Sequence, residues 1–472
     1  MTTDGRDPDG GEASGGPGDG DDGSSTAGQA RDVLRLAIPA FLALVAEPLF
    51  LLTDSAIVGH LGTTQLAGLG IASAALLTAV NIFVFLAYAT TAVVARQLGA
   101  GSRAGAIEAG IDGTWLAVAL GLVTALIVAV LATPICRLFG ASEGALEQAA
   151  TYLRTAAAGI PGMLVVLATT GVLRGLQDTR TPLLASVLGF GSNIGLNLLF
   201  VYGFHWGIAG SALGTVIAQT GMAAALIAVL VRMARRERAP LRAHPGRVLA
   251  AARGGAPLLV RTIALRAILV ATTWVAAGLG DVPLAGYQVA ATIWSFLAFV
   301  LDALAIAAQA LTGKALGAGD VASTRSATGL MIRWGIAGGF VLGLLILGLR
   351  DVLPHLFTTD PNVRDVVSAG LRIVALQQPL AGYAFVVDGV LIGAGDGRWL
   401  ARAMVGCLVA YLPLILGVHA LGPRLLSAST AQQADELAVT WLWLAFTGFM
   451  GVRGTLLWLR VRTDRWMVTG AR

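Results

Sequence analysis

Long apolar runs recur along nearly the whole chain. Each is at least about 18 residues long, enough for a helix to cross a hydrocarbon core about 30 Å thick. Only 12% of the 472 residues are charged and 56% are hydrophobic, whereas about 25% of a soluble domain is charged. We therefore expect an all-α polytopic membrane protein with twelve transmembrane helices. The predicted spans cover residues 33–58, 66–97, 112–135, 149–173, 182–203, 207–232, 255–278, 284–315, 328–349, 367–392, 400–421 and 437–459.

The basic residues predict how the chain is oriented in the membrane. They gather in alternate loops, above all in the run RMARRERAPLRAHPGR at 232–247, and loops rich in Lys and Arg stay in the cytoplasm. We therefore interpret the formal charge of +5 as a signal that sets the orientation in the membrane, through attraction of basic loops to anionic lipids, and not as a sign of nucleic-acid binding. We expect a multi-pass protein of the plasma membrane, monomeric, with both termini cytoplasmic.

The second half of the chain repeats the first without a gap. A constant offset of 218 residues aligns Pro39 with Pro257, the LGAG at 98–101 with that at 316–319, and VLRGLQDTR at 172–180 with VLIGAGDGR at 390–398. Six spans per repeat start both halves on the same side, so the two lobes are related by a pseudo-twofold axis along the membrane normal. Two such lobes facing a central cleft are typical of a transporter.

This repeat divides the chain into five segments. The Gly- and Asp-rich start cannot bury a core, and we expect it to be a disordered cytoplasmic tail. The two cysteines, Cys136 and Cys407, lie half a chain apart and indicate neither a disulfide nor a metal site. The segments are the tail 1–30, the first lobe 31–232, a basic cytoplasmic linker 233–253, the second lobe 254–460 and a cytoplasmic tail 461–472.

Polar residues in three spans of the first lobe predict a pocket. Asp54 lies about 7 Å below the outer end of helix one at 1.5 Å per residue. Asn193 and Asn197 in helix five, and Thr215 and Gln219 in helix six, are pairs four residues apart and so share a face. All reach a similar depth, with Asp54 as the only titratable group there. Burial favours the neutral acid and amide donors favour the anion, so Asp54 can exchange a proton, or it stays protonated and bridges helices.

Glu47 and the second lobe carry further buried charges. Glu47 lies two turns deeper than Asp54, and in its simplest role it is protonated and satisfies the carbonyl that Pro48 frees. The second lobe has Thr272 where the first has Asp54. Its Arg266, Asp302 and Asp388 predict a buried ion-pair network, functional or structural, while Arg261 is expected to snorkel to the membrane surface.

Several motifs together resemble the multidrug and toxic compound extrusion (MATE) family, in particular its DinF-like, DNA-damage-inducible branch. The resemblance covers about residues 33–460. The motifs are TDSAIVGHLG in helix one, the two LGAG segments, RGLQDTRTP after helix four, NIGLN in helix five and FVLDALAIAAQALTGKALGAGD through helix eight, with LRxxL, LDxL and VDG around Arg266, Asp302 and Asp388.

The resemblance implies twelve helices in two lobes, and export of organic, often cationic compounds by antiport against protons or sodium. It implies that Asp54 is central to cation coupling, with Asn193, Asn197 and Thr215 around it. Archaeal relatives carry an aspartate at the position of Asn197. An amide there weakens the case for a sodium site, because a hard cation favours carboxylate-rich oxygen ligands, and it favours protons.

The leading hypothesis is a secondary active antiporter that exports a small organic compound in exchange for protons, without a bound cofactor. Sodium coupling is one alternative. A flippase for an amphiphilic or lipid-linked molecule is another, although such relatives have extra spans and a strongly cationic cavity, which the sequence does not predict. A membrane-embedded enzyme is disfavoured because the five histidines lack metal-ligand spacing, and the asymmetry of the carboxylates between the halves disfavours a channel.

Overall fold

The structure is a computed structural model that describes residues 21–140, 142–427 and 430–471. Within α1, the side chain of Glu47 also lies outside the described set, so its predicted contacts are not described. In the described ranges the chain is helical and contains no strand. The helices are α1 Asp21–Gly59, α2 Thr63–Asn81, α3 Phe85–Gly99, α4 Arg103–Val130, α5 Ala132–Leu138, α6 Glu143–Ala157, α7 Ile160–Gly175, α8 Arg180–Leu198, α9 Gly207–Arg236, α10 Pro245–Gly278, α11 Asp281–Gly317, α12 Val321–Leu349, α13 Pro361–Gly393, α14 Gly397–Ser427 and α15 Ala431–Val461.

These helices confirm the expected fold class, an all-α membrane bundle of two lobes. In the described ranges, ten helices are long and apolar enough to cross a membrane, and the bent pair α6 and α7 makes an eleventh. The first predicted span, residues 33–58, lies in α1, which is not among these ten or eleven spans. Each spanning segment is helical because a backbone in lipid must satisfy its hydrogen bonds internally.

The structure departs from the sequence-based expectations at three places. The span predicted at 149–173 is broken by a 51° bend between α6 and α7, because Pro161 in the first turn of α7 lacks a backbone N–H to continue the helix. Helix α1 extends back to Asp21, into the segment expected to be disordered, while residues 1–20 lie outside the described ranges. The linker is shorter than expected, since α9 and α10 leave only residues 237–244 between them.

Helices α1 to α9 form the first lobe and α10 to α15 the second. Across the lobes, α1 packs against α11, and α3 packs against α10 and α11. We call the end of the bundle where α3 and α11 end, and where the linker and the tail 462–471 lie, the basic face. Contacts between the lobes run along the half of α11 nearest this face. Ala303 and Ile306 pack against Ala40, and Gln309 donates to the Tyr88 carbonyl (2.6 Å).

Two repeat-equivalent glycines close the lobes at the basic face. A Cβ on Gly99 would overlap the Lys314 carbonyl, and a Cβ on Gly317 would overlap the Arg96 carbonyl. Both LGAG segments therefore serve one purpose, a close backbone crossing of α3 and α11 that only glycine permits.

The C-terminal tail covers this crossing. The Arg96 guanidinium donates to the carbonyls of Ala394 (2.5 Å), Val468 and Gly470 (3.0 Å). The Gly470 N–H donates to the Leu316 carbonyl (3.0 Å). The tail thus joins the first lobe, through Arg96, to the second lobe, through α11.

Candidate functional site

Asp54 lies at the centre of a buried polar cluster in the first lobe. It comes from α1, is only 3% exposed, and its Oδ1 accepts hydrogen bonds from Asn197 Nδ2 (2.6 Å) and Ser211 Oγ (2.8 Å). Asn197 Nδ2 also donates to Asn193 Oδ1 (2.9 Å), and Asn193 Nδ2 donates to Thr215 Oγ1 (3.1 Å). A continuous chain of hydrogen bonds therefore connects α9 and α8 to the carboxylate on α1.

Helical periodicity and one glycine position these side chains. Asn193 and Asn197 are one turn apart on α8, as are Ser211 and Thr215 on α9, so each pair presents two polar groups on one face. A Cβ at Gly214 would overlap Asn197 Oδ1. Only glycine at this position allows α9 to approach the amide closely enough for Ser211 to reach Asp54.

The structure brings together four of the residues that the sequence placed in this pocket: Asp54, Asn193, Asn197 and Thr215. Gln219 is half-buried one turn further along α9 and lies outside the cluster.

The sequence did not predict two members of the cluster, Ser211 and Tyr152. Ser211 is completely buried and contacts Asp54 directly. Its signal was its position four residues before Thr215, but serines are common in apolar helices. The Tyr152 side chain, from α6, lies beside Asp54, Thr215 and Ser73. Asp54 is therefore not alone among titratable groups at this depth, and nothing in the spacing of α6 predicts where Tyr152 points.

One oxygen of the cluster is buried without a hydrogen-bond partner among the described residues. This atom is Asn197 Oδ1, and leaving a buried polar atom unpaired is costly. The Asn197 Nδ2 group thus donates to Asp54 and Asn193, while its Oδ1 remains available as a hydrogen-bond acceptor. A protonated Asp54 would need an acceptor next to it, and a bound cation would need an oxygen ligand; the amide could supply either.

The second lobe carries a neutral pair at the position equivalent to Asp54. Thr272 is 1% exposed, and its Oγ1 lies 2.6 Å from the Tyr411 hydroxyl. The repeat therefore duplicates a buried polar contact at this level without duplicating the acid.

The carboxylate of Asp388 binds two arginines deep in the second lobe. It comes from α13 and accepts hydrogen bonds from Arg261 on α10 and from Arg453 on α15 (2.9 Å). Arg261 and Arg453 are 6% and 5% exposed.

This pairing corrects two expectations. Arg261 does not snorkel, and Arg266, expected beside Asp388, is exposed instead. Five residues separate them, which rotates Arg266 by roughly 140° around α10, away from the interior of the lobe.

Asp302 extends this network to the first lobe. It is half-buried on α11 beside Tyr88 of α3, within electrostatic reach of Arg174, Arg261 and Arg453. The Arg261 guanidinium lies 6.0 Å from the centroid of the Tyr88 ring. Tyr88 and Arg174 belong to the other lobe, which sequence reasoning did not predict. We name these residues, with Arg266, which lies within electrostatic reach of Tyr88, the interlobe charge cluster: Tyr88, Arg174, Arg261, Arg266, Asp302, Asp388 and Arg453.

Comparisons with known proteins agree with this architecture. The MatE family matches the chain twice, over residues 39–199 and 257–416, once in each repeat. The chain is 32% identical to Protein DETOXIFICATION 44, chloroplastic, of Arabidopsis thaliana over 396 residues, 79% of this chain and 74% of that protein.

Two further similarities cover more of the chain. It is 28% identical over 436 residues to the DNA damage-inducible protein F of Escherichia coli (strain K12), covering 89% of this chain and 90% of that protein. Its fold is similar to that of a MATE crystal structure in the bent conformation, with a TM-score of 0.82 and 21% identity over 93% of this chain and 96% of the other.

Proposed function

Since this chain belongs to the MATE family of multi-pass membrane transporters, we propose that it is a secondary active antiporter that exports an organic compound in exchange for protons, with Asp54 as the coupling carboxylate. The observation that carries the proposal is the setting of Asp54: a buried acid in a transmembrane helix whose partners are neutral amides and hydroxyls. Intramembrane acids of this kind often belong to proton relays.

Protonation of Asp54 changes what its neighbours can do. The anion accepts from both Asn197 and Ser211, whereas the neutral acid carries a proton that itself needs an acceptor. If the Asn197 amide turns, Oδ1 accepts that proton and the contact with Asp54 is kept with reversed polarity. Because α1 packs against both α8 and α11, a change at Asp54 can alter the contact between the lobes.

Transport then follows from the preference of the proton for one conformation. A ligand shifts an equilibrium only by its differential affinity for the two states. We propose that the protein lies in the plasma membrane with its basic face toward the cytoplasm. Protons reach Asp54 from the outside in one state and leave toward the cytoplasm in the other, while substrate moves in the opposite direction.

Sodium coupling is the second candidate, and the unpaired Asn197 Oδ1 favours it. Asp54, this amide oxygen and the Ser211 and Thr215 hydroxyls are all oxygen ligands, which hard cations prefer. The cluster offers Na⁺ one formal charge only, which favours the proton.

The experiment uses purified protein in liposomes, with proton and sodium gradients imposed separately and export measured for two dyes, rhodamine 6G and fluorescein. Asp54→Asn removes the titrating group and keeps its shape. Thr272→Val, at the equivalent position of the second lobe, is the matched control for loss of a buried hydrogen bond. We expect the proton gradient to drive export in the parent and in the control and not in Asp54→Asn. Full gradient-driven export by Asp54→Asn contradicts the assignment, and export driven by sodium alone replaces the proton with sodium.

A further inference from the structure

We propose that the C-terminal tail, residues 462–471, is a strap that holds the lobes together at the basic face and that releases Arg96 when the lobes open on this side. The proposal goes beyond the export function, because it assigns a conformational role to a segment outside the predicted spans. It does not depend on which ion drives transport.

Gly470 bonds to both lobes at once. Its carbonyl accepts hydrogen bonds from Nε (3.1 Å) and Nη2 (3.0 Å) of Arg96 on α3, and its N–H donates to the Leu316 carbonyl on α11 (3.0 Å). Gly470 has a φ of 95°, in the left-handed region that favours glycine. This one residue therefore bridges the two helices that cross at the basic face.

The Arg96 guanidinium binds further carbonyls at the crossing. Arg96 is 2% exposed and also donates to Val468 in the tail and to Ala394 (2.5 Å), which follows α13. These acceptors, like that of Gly470, belong to the tail or to the second lobe. Because a guanidinium keeps its charge, separating it from them leaves donors that need new partners or water. The bonds therefore stabilise the arrangement in which the lobes meet.

The tail is anchored to the second lobe. Directly after α15 the chain turns back, and this turn packs on α15. Its Trp466 is 3% exposed and donates its indole N–H to the Val461 carbonyl (3.3 Å). Asp464 also pairs with Arg325 of α12 (3.0 Å), but both side chains are well exposed, and such pairs contribute little. When the lobes separate, the tail stays with Trp466, and the bonds that break are those to Arg96.

Other polar contacts join the lobes at the basic face, but they are more exposed. Lys314 donates to Gln177 (2.9 Å) at the surface, and the partly exposed Arg247 of α10 pairs with Glu108 of α4. Water can replace the partner of an exposed charge at little cost, whereas the Arg96 bonds are buried. The strap is therefore the contact whose loss should matter most for closure.

A preference for the closed basic face follows. An interaction shifts a conformational equilibrium only by its difference between the two states, and the bonds between Arg96 and the tail exist only while the lobes meet. Each hydrogen bond to a charged group corresponds to about tenfold or more in an equilibrium constant. Loss of the tail should therefore raise the ratio of open to closed protein at least about tenfold.

The test measures the distance between two nitroxide labels by double electron–electron resonance, on purified protein in nanodiscs. The labels are attached after Ala104→Cys and Ala322→Cys, at exposed positions in the first turns of α4 and α12 that the 218-residue repeat makes equivalent. Cys136 and Cys407 are buried, and protein without the added cysteines reports any labelling of them.

Three variants are compared with the parent. Deletion of residues 467–472 removes the bonds to Arg96 and keeps Trp466. Gly470→Pro removes the N–H that bonds to Leu316, and proline cannot adopt the positive φ of this position. Arg465→Gln is the matched control, because it changes an exposed residue of the tail.

We expect the parent and Arg465→Gln to show mainly the shorter distance of a closed basic face. The deletion and Gly470→Pro should each raise the ratio of a longer-distance population at least about tenfold. If the truncated chain does not fold, Gly470→Pro decides. Unchanged distances in Gly470→Pro and in a folded deletion variant overturn the proposal, as does equal opening in Arg465→Gln.

A double-variant cycle tests whether the strap acts through Arg96. In Arg96→Gln the guanidinium bonds to the tail are already lost, so the deletion should raise the open population much less than it does in the parent, as expected for interacting groups. An equal effect of the deletion in both backgrounds assigns closure to other contacts and overturns the proposal.

Discussion

The pairing of Asp388 with two buried arginines gives a quantitative prediction for stability. Asp388→Asn keeps the shape of the side chain but removes the negative charge that Arg261 and Arg453 share. Removing one partner of a buried ion pair costs about 3–5 kcal/mol, because the other charge stays buried and unpaired. Since one carboxylate here serves two guanidinium groups, each less than a tenth exposed, we expect roughly 4–5 kcal/mol, about a thousandfold in the unfolding constant.

Equilibrium unfolding of the purified protein in mixed micelles measures this loss. Asp365→Asn is the matched control, because Asp365 lies on the same helix, is exposed and accepts a hydrogen bond from the neutral Gln432 (2.6 Å); its effect should stay below about 1 kcal/mol.

A second substitution tests the physical reason for the loss. Adding Arg453→Gln to Asp388→Asn removes one of the unpaired cations and should recover part of the stability, a coupling that only interacting groups show. Equal stability of Asp388→Asn and Asp365→Asn, or no recovery in the double variant, refutes the reasoning.

Three further substitutions probe the coupling site and the closed crossing. Asn197→Asp places a second carboxylate beside Asp54 and should make thermal stability respond to sodium, which the parent should not show; an unresponsive variant argues against oxygen ligation here. Gly214→Ala should displace Asn197 from Asp54 and lower proton-driven export at least tenfold, whereas Gly221→Ala on the same helix, with open space around its Cβ position, should be silent. Gly317→Ala should separate α11 from α3 at the basic face and increase labelling of a cysteine introduced in the crossing; unchanged labelling contradicts the close packing.

Sequence reasoning predicted the members of the polar cluster around Asp54 better than those of the charge cluster, and the reason is geometric. Asn193, Asn197 and Thr215 follow from helical periodicity and from depth along a span, which are local properties of the chain. Tyr152 reaches the same site from α6, whose rotation and bend depend on packing around Pro161, and no local pattern encodes that.

The charge cluster depends on how α10 is rotated about its axis. From the sequence, Arg261 and Arg266 are both arginines in one apolar helix. The rotation of α10 in the packed structure buries Arg261 and leaves Arg266 exposed. Arg174 and Tyr88 join the cluster from the other lobe, so their part depends on how the lobes meet. The repeat predicts that the lobes face each other, but it does not predict which side chains of the two lobes meet.

The coupling role of Asp54 is tested most directly by recording proton and substrate movement in the same proteoliposomes. Dye export is quantified after lysis at one pH, while a lumenal pH indicator follows proton flux. The account predicts that the parent moves protons only when substrate moves in the opposite direction. Asp54→Asn should still exchange dye for dye without a gradient, but should move no protons. Proton movement coupled to export in Asp54→Asn would contradict the account.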